Sequence, residues 1–439
     1  MRIGLIFVLA GLLSGQQEPE VRLRSDVRQV LVPVVVTDAK GHHVTGLQAS
    51  DFTVFEDGIR QEIRSFSVEA EAGAGGLIRR APAATTPDAA PAPAPRPRTY
   101  VICFDTLHST FGNFARVRKA LEQLFSKDNG SGAQFVMVSL GRQLRVIQTA
   151  TADQKQLLSR LHDKTFLDVL RGADAEAMAT EINATRIRLE QFCKSCPCGA
   201  AARGNQCYPE RQDLKQQLTM QAARTAQLNQ AFLEGLKGLV TELGNVPGGR
   251  TLMLISDGFS LTPGAEFFAV ASAYLPNYSE FHFPDENLSS QMAAAMAVAA
   301  KQDIRVYGVD SRGLSSPAFS GGGMSDASSS GMGQNGARNR GGSMLTELDR
   351  KQNSIAFMNG AGMAQLAAAT GGMYLHDSND LVGELQQVLA DGREFYMLSY
   401  VPANHAEDGK FRKITVVVHD AKQIIRAKEG YWAETSPTH

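Results

Sequence analysis

Residues 99–109 read TYVICFDTLHS, a run that is apolar through Phe104, turns acidic at Asp105 and is polar thereafter. A run bounded this way reads as a buried central strand with Asp105 at its carboxyl end. Residues 250–258, RTLMLISDG, repeat the plan, with Thr251 to Ile255 apolar and Asp257 at the exit. In an open parallel α/β sheet both carboxylates emerge at one edge, the edge at which such folds bind ligands and ions.

Around these strands the hydrophobic period alternates. Phe114 to Phe125 places Val117, Ala120, Leu121 and Leu124 at helical spacing, and Ala133 to Leu140 and Leu144 to Ile147 read as strands. Thr151-Ala-Asp-Gln154 has capping-box spacing and opens a helix. After the Asp257 strand come a helix at Ser289 to Ala300, a strand at Ile304 to Val309, a helix at Ala361 to Ala369, a strand at Met373 to Leu375 and a helix at Asp380 to Leu389. This alternation predicts an α/β class domain over 99–391, a doubly wound and mostly parallel sheet.

Two stretches interrupt it. In residues 173–243, Ala175, Met178, Ile182, Thr185, Leu189 and Phe192 form one seam, and Leu214, Leu218, Leu228, Phe232 and Leu239 a second. They read as an inserted, projecting helical hairpin, with two ordinary surface helices as the alternative. Residues 311–343 are rich in Gly and Ser and read as a mobile loop.

The two ends of the chain are β-patterned. Val30, Val32, Val34 and Val36 alternate, Phe52, Val54 and Phe55 follow, and turn clusters separate them, which gives a β module over 20–70. Segments at Phe395 to Val401, Ile414 to His419 and Ile424 to Ala427 fill 392–434, and the two ends are expected to meet in one β-sandwich. Residues 71–98, dominated by Ala, Gly and Pro, form a semi-rigid linker. His42 and His43 lie in a hairpin turn and read as solvated.

A chain of 439 residues with 43% hydrophobic content can bury a core larger than one ordinary domain. Its formal net charge of −1 gives no reason to expect a nucleic-acid partner. Arg2, the apolar run Ile3 to Leu13, and small Ser14 and Gly15 have the layout of a signal peptide, residues 1–15. No other segment is long and apolar enough to span a membrane, so the mature chain is expected to be periplasmic or secreted.

Four of the five cysteines, Cys193, Cys196, Cys198 and Cys207, cluster at the tip of the hairpin, and Cys103 lies alone in the central strand. The long gap before Cys207 does not suit paired zinc ligands, and behind a signal peptide two disulfides are the expected chemistry. Their connectivity is open.

A strand ending Asp-x-x-x-Ser, a later strand ending Ser-Asp-Gly and an α/β chain between them resemble the von Willebrand factor A fold. The whole chain resembles the VWFA-related domain proteins of acidobacteria. The resemblance lies in VPVVVTDAKGHHVTGLQASDFTVFEDG, FDTLHS, LAAATGGMYL and FYMLSYVPA…GKFRKITVVVH…IIRAKEGYW. It implies a metal-ion-dependent adhesion site for Mg²⁺, in which Asp105 and Ser109 match the first and last ligands of Asp-x-Ser-x-Ser and Asp257 the third-loop acid. Thr151 is the best match for the threonine, with Thr149 close by, although it also suits a helix N-cap. Leu107 stands where the middle Ser should be and offers no oxygen to a hard cation, so the site is degenerate. His108 is a replacement contact or, as for most lone histidines, structural.

There is no Gly-x-Ser-x-Gly, His-Glu-x-x-His or phosphate-loop spacing. The expectation is therefore not an enzyme but an adhesion-type protein that binds a protein partner at the acid edge. Two alternatives remain: an envelope assembly factor docking through the hairpin, and a hydrolase using Asp105 and Asp257 as acid and base.

Overall fold

The computed structural model describes residues 29–69, 98–127, 133–171, 174–199, 204–205, 207–281, 287–314 and 359–435. The predicted signal peptide, nearly all of the linker and most of the Gly/Ser loop lie outside the described residues. No helix of the described residues is long and apolar enough to cross a membrane.

Strand β5 (Arg98–Asp105) sits in the middle of a six-stranded sheet, and its buried residues divide by parity between two helical layers. Tyr100, Ile102 and Phe104 pack with α1 (Phe111–Ser126), α2 (Gln154–Leu161), α3 (Lys164–Leu170) and α9 (Leu381–Arg393). Val101 and Cys103 pack with the second half of α5 (Tyr208–Leu243), α7 (Ser289–Lys301) and α8 (359–370). A strand covered on both faces must be apolar at every position, which is why the run from Tyr100 to Phe104 has no alternation.

Strand β5 pairs in parallel with β6 (Gln134–Leu140) and β8 (Gly249–Ser256), and β8 with β9 (Arg305–Asp310). The edges are β10 (Tyr374–Leu375), parallel, and β7 (Leu144–Thr151), antiparallel to β6. The order β10-β9-β8-β5-β6-β7 reverses direction at β5, so the carboxyl ends of β5, β8 and β9 form the crevice of a doubly wound sheet. The turn from α8 into β10 needs glycine: Gly371 has φ +75°, and a Cβ on Gly372 would come within 1.9 Å of the Val306 carbonyl oxygen.

Residues 174–243 form α4 (Asp174–Ser195) and α5, joined at a tip where disulfides link Cys193 to Cys198 and Cys196 to Cys207. Cys103 is a buried free thiol. The hairpin does not simply project. The second half of α5 is a layer helix of the sheet, and only its first half joins α4 and α6 (Ala265–Tyr274) in a separate apolar cluster around Leu189, Leu218, Phe267 and Phe281.

The terminal segments interleave in two antiparallel sheets. One has the order β13-β1-β11-β4, from β13 (Ile424–Ala427), β1 (Val30–Thr37), β11 (Phe395–Tyr400) and β4 (Ile63–Glu69). The other has β14-β12-β2-β3, from β14 (Gly430–Trp432), β12 (Phe411–Val418), β2 (Phe52–Glu56) and β3 (Ile59–Gln61). Their inner faces share one core that includes Val32, Val54, Leu398 and Ile414. Glu56, buried on β2, accepts hydrogen bonds from Tyr400 (2.6 Å) and Tyr431 (2.9 Å), so the carboxylate is satisfied from both sheets. His43 is not solvated as expected but lies against Asp391 of α9.

Candidate functional site

The sheet order brings Asp105, Asp257 and Asp310 to one end of three adjacent strands. Asp105 and Ser109 are buried, as are Ser256, Asp310 and Ser311. Gly258, with φ +92°, is required after Asp257 because a Cβ there would meet the Asn359 carbonyl oxygen at 2.9 Å.

Asp105 is saturated with donors. Its Oδ1 accepts from the backbone N–H groups of Leu107 (3.1 Å) and His108 (3.0 Å). Its Oδ2 accepts from Ser256 Oγ at 2.6 Å and lies 2.8 Å from Nδ1 of His108. On the other side of the ring, Nε2 lies 3.0 Å from Oδ1 of Asn229 on α5. The Asn229 amide is oriented by its own Nδ2, which donates to the Thr225 carbonyl at 3.0 Å. Both ring nitrogens therefore face acceptors, an arrangement that favours the doubly protonated ring. Burial alone would push the imidazole down, but the Asp105 charge and the hydrogen bonds to Asp105 and Asn229 hold it above its ordinary value. Phe232 packs edge-on against the ring, with centroids 4.9 Å apart.

Asp257 accepts from Ser311 Oγ, from Asn113 Nδ2 at 2.7 Å and from the Thr110 N–H at 3.2 Å. Burial raises its carboxyl above the usual range, against the pull of those bonds. Ser109 Oγ is turned to accept from the Asp257 N–H at 3.0 Å. Asp310 is paired with Arg312 at 2.6 Å and accepts from Tyr374 Oη at 3.0 Å.

Thr151 does not belong to this site. Asp105 is level with Leu140 of β6, whereas Thr151 is level with Phe135, five residues back along that strand and so about 16 Å away. It is a strand residue that donates to Gln156 Oε1, and the N-cap of α2 is Asp153. Leu107 is buried in the apolar cluster beneath the loop.

The residues present do not fit a Mg²⁺ site. A carboxylate offers about four lone-pair positions, and those of Asp105 are taken by protein donors. Asp257 and Ser109 are spent on each other's loops, and Thr151 is out of reach. Among the described residues no group of three or more His, Cys, Asp or Glu side chains is placed to hold a metal ion.

The sequence reading missed Asp310, Ser256, Ser311, Asn113 and Asn229. Asp310 follows the rule that identified the other two acids, an apolar strand closed by Asp. Asn229 carried a fainter signal, a polar residue inside an apolar helical seam.

No family model matches the chain, and no curated protein matches it. Among solved structures it is similar to an aerotolerance-related membrane protein from Bacteroides fragilis, at 10% identity over 67% of this chain and 98% of that one, TM-score 0.30. It is also similar to the PilB minor pilin of Streptococcus sanguinis, at 10% identity over 69% and 64%, TM-score 0.32. A third is proximal thread matrix protein 1 of the mussel byssus, at 8% identity over 70% and 49%, TM-score 0.28, which has also been solved with a zinc-occupied MIDAS motif. The chain's own strand order and acid edge define the class: a mixed α/β protein with a mostly parallel six-stranded sheet, compatible with a von Willebrand factor A-like fold.

Proposed function

We propose that the chain is a protein-binding component that engages its partner through the α4–α5 hairpin, without a metal bridge at the acid edge. One observation carries this reading: Asp105 and Ser109 of the acid edge are buried, while the α4–α5 hairpin is accessible. A cleft of about 470 Å³ is lined by Glu181, Arg188, Gln217, Met220, Gln221 and Arg224, all hairpin residues. Met220 is 59% exposed and Ile187 42% exposed, large apolar groups of the kind that become buried in interfaces. A second cleft of about 750 Å³ lies by the tip, beside Tyr208 and Lys215.

Docking at the edge itself would need Asp105 and Ser109 at the surface, and they are buried. An acid and base pair would need carboxyl oxygens open to substrate, and those of Asp105 and Asp257 are occupied by protein donors. The signal-peptide pattern and the resemblance to VWFA-related proteins support an extracytoplasmic setting.

Photo-crosslinking tests the surface. A crosslinker at position 220 or 187 should capture the partner, and one at Leu144 or Val417, exposed elsewhere, should not. Capture from 144 or 417 but not from the hairpin would defeat the proposal.

A further inference from the structure

We propose that His108 is the built-in counter-ion of the acid edge: its ring stands between Asp105 and Asn229 and pins the register of α5 on the strand ends, so that docking of the hairpin needs no divalent metal. The inference rests on the geometry of the edge and holds whether or not the hairpin is the partner surface.

Asp105 is fully buried, and a carboxylate in that position requires charge and donors around it. One donor comes from β8, through Ser256, two are backbone groups of its own loop, and the fourth is the His108 ring. On α5 the matching problem is Asn229, a polar side chain 4% exposed among apolar neighbours that include Phe232 and Leu233. Its Oδ1 is met by the same ring at 3.0 Å. Sliding α5 along the edge by one turn would leave Asn229 buried without its partner and His108 with Asp105 alone. A single polar contact inside an apolar seam is the type of device that fixes register. A divalent cation at Asp105 would have to displace the ring, and with it the link to α5.

The test is amide hydrogen exchange on the full oxidised chain, comparing wild type, His108→Ala, Asn229→Ala, the double variant and Asn229→Asp, each with and without millimolar Mn²⁺. In wild type Mn²⁺ should leave hairpin exchange unchanged. Each alanine variant should speed exchange in α4 and the first half of α5 by about tenfold while α1 is unaffected, and the double variant should exceed neither single one. Asn229→Asp keeps an acceptor of the same shape for the ring and should retain protection. Slowing of hairpin exchange by Mn²⁺ in wild type, additive effects in the double variant, or unchanged exchange in Asn229→Ala would overturn the proposal. The wild-type and Asn229→Ala arms decide it if His108→Ala fails to fold.

Discussion

His43 and Asp391 meet at 3.0 Å across the boundary between the sandwich and the α/β body, with the Asp391 side chain fully buried. Arg426 of β13 binds the same carboxylate, with Nη2 2.8 Å from Oδ1. Asp391 thus receives two sandwich residues from a helix that packs on the central sheet. Removing the charge leaves the largely buried Arg426 guanidinium without its counter-charge, so Asp391→Asn should cost about 3–5 kcal/mol in urea unfolding. Burial opposes ionisation of Asp391, but the bonds from His43 and Arg426 outweigh it and its pKa is lowered. A depressed carboxyl gives stability that is present above the unfolded value of about 3.9 and lost as pH falls through the folded value. Wild type should therefore lose stability at acid pH more steeply than Asp391→Asn, and parallel acid profiles would show that the clamp is inert.

Leu107→Ser separates a dormant metal site from a packed loop. Leu107 is 5% exposed and sits among apolar neighbours, so a buried hydroxyl in its place should lower stability by about 2–4 kcal/mol. No Mg²⁺ binding should appear, because Asp105 remains saturated. Calorimetric Mg²⁺ binding by the variant at undiminished stability would reverse this account.

Glu384 titrates in the opposite sense from Asp391. Burial, together with the charges of Asp310 and Asp380, raises its pKa to about 7, and its Oε2 is buried with no hydrogen-bond partner among the described residues. A raised carboxyl contributes stability that is full below its unfolded value and lost as pH rises through the folded one. Unfolding midpoints should fall between about pH 4.5 and 7 in wild type and fall less in Glu384→Gln. Equal slopes would place the pH dependence elsewhere.

The sheet was legible because its strands are covered on both faces. Continuous apolar runs closed by Asp105 and Asp257 give position, direction and edge at once. The antiparallel course of β7 was not legible, and it carried Thr151 to the wrong end of the sheet, since a strand's residues do not state its direction. Helix α6 was missed because AEFFAVASAY is apolar nearly all round: Phe267, Val270 and Tyr274 are buried between the hairpin and the body, and no amphipathic stripe marks it. The division of α5 into a layer half and a hairpin half was also hidden, because both halves carry the same helical spacing.

Thiol labelling checks the tip. In the unfolded, unreduced chain only Cys103 should react, since the other four cysteines are paired. Reaction at Cys193 or Cys207 would contradict the stapled tip.

The central claim is that binding is borne by the hairpin and is independent of divalent metal. Its most direct test is the affinity of the crosslink-identified partner for the chain, measured in Mg²⁺, in EDTA, and with Met220→Arg. The account predicts equal affinity in Mg²⁺ and EDTA and a loss of at least about tenfold with Met220→Arg, as for disruption of a central interface contact. Release of the partner by EDTA, with Met220→Arg binding as wild type does, would contradict it.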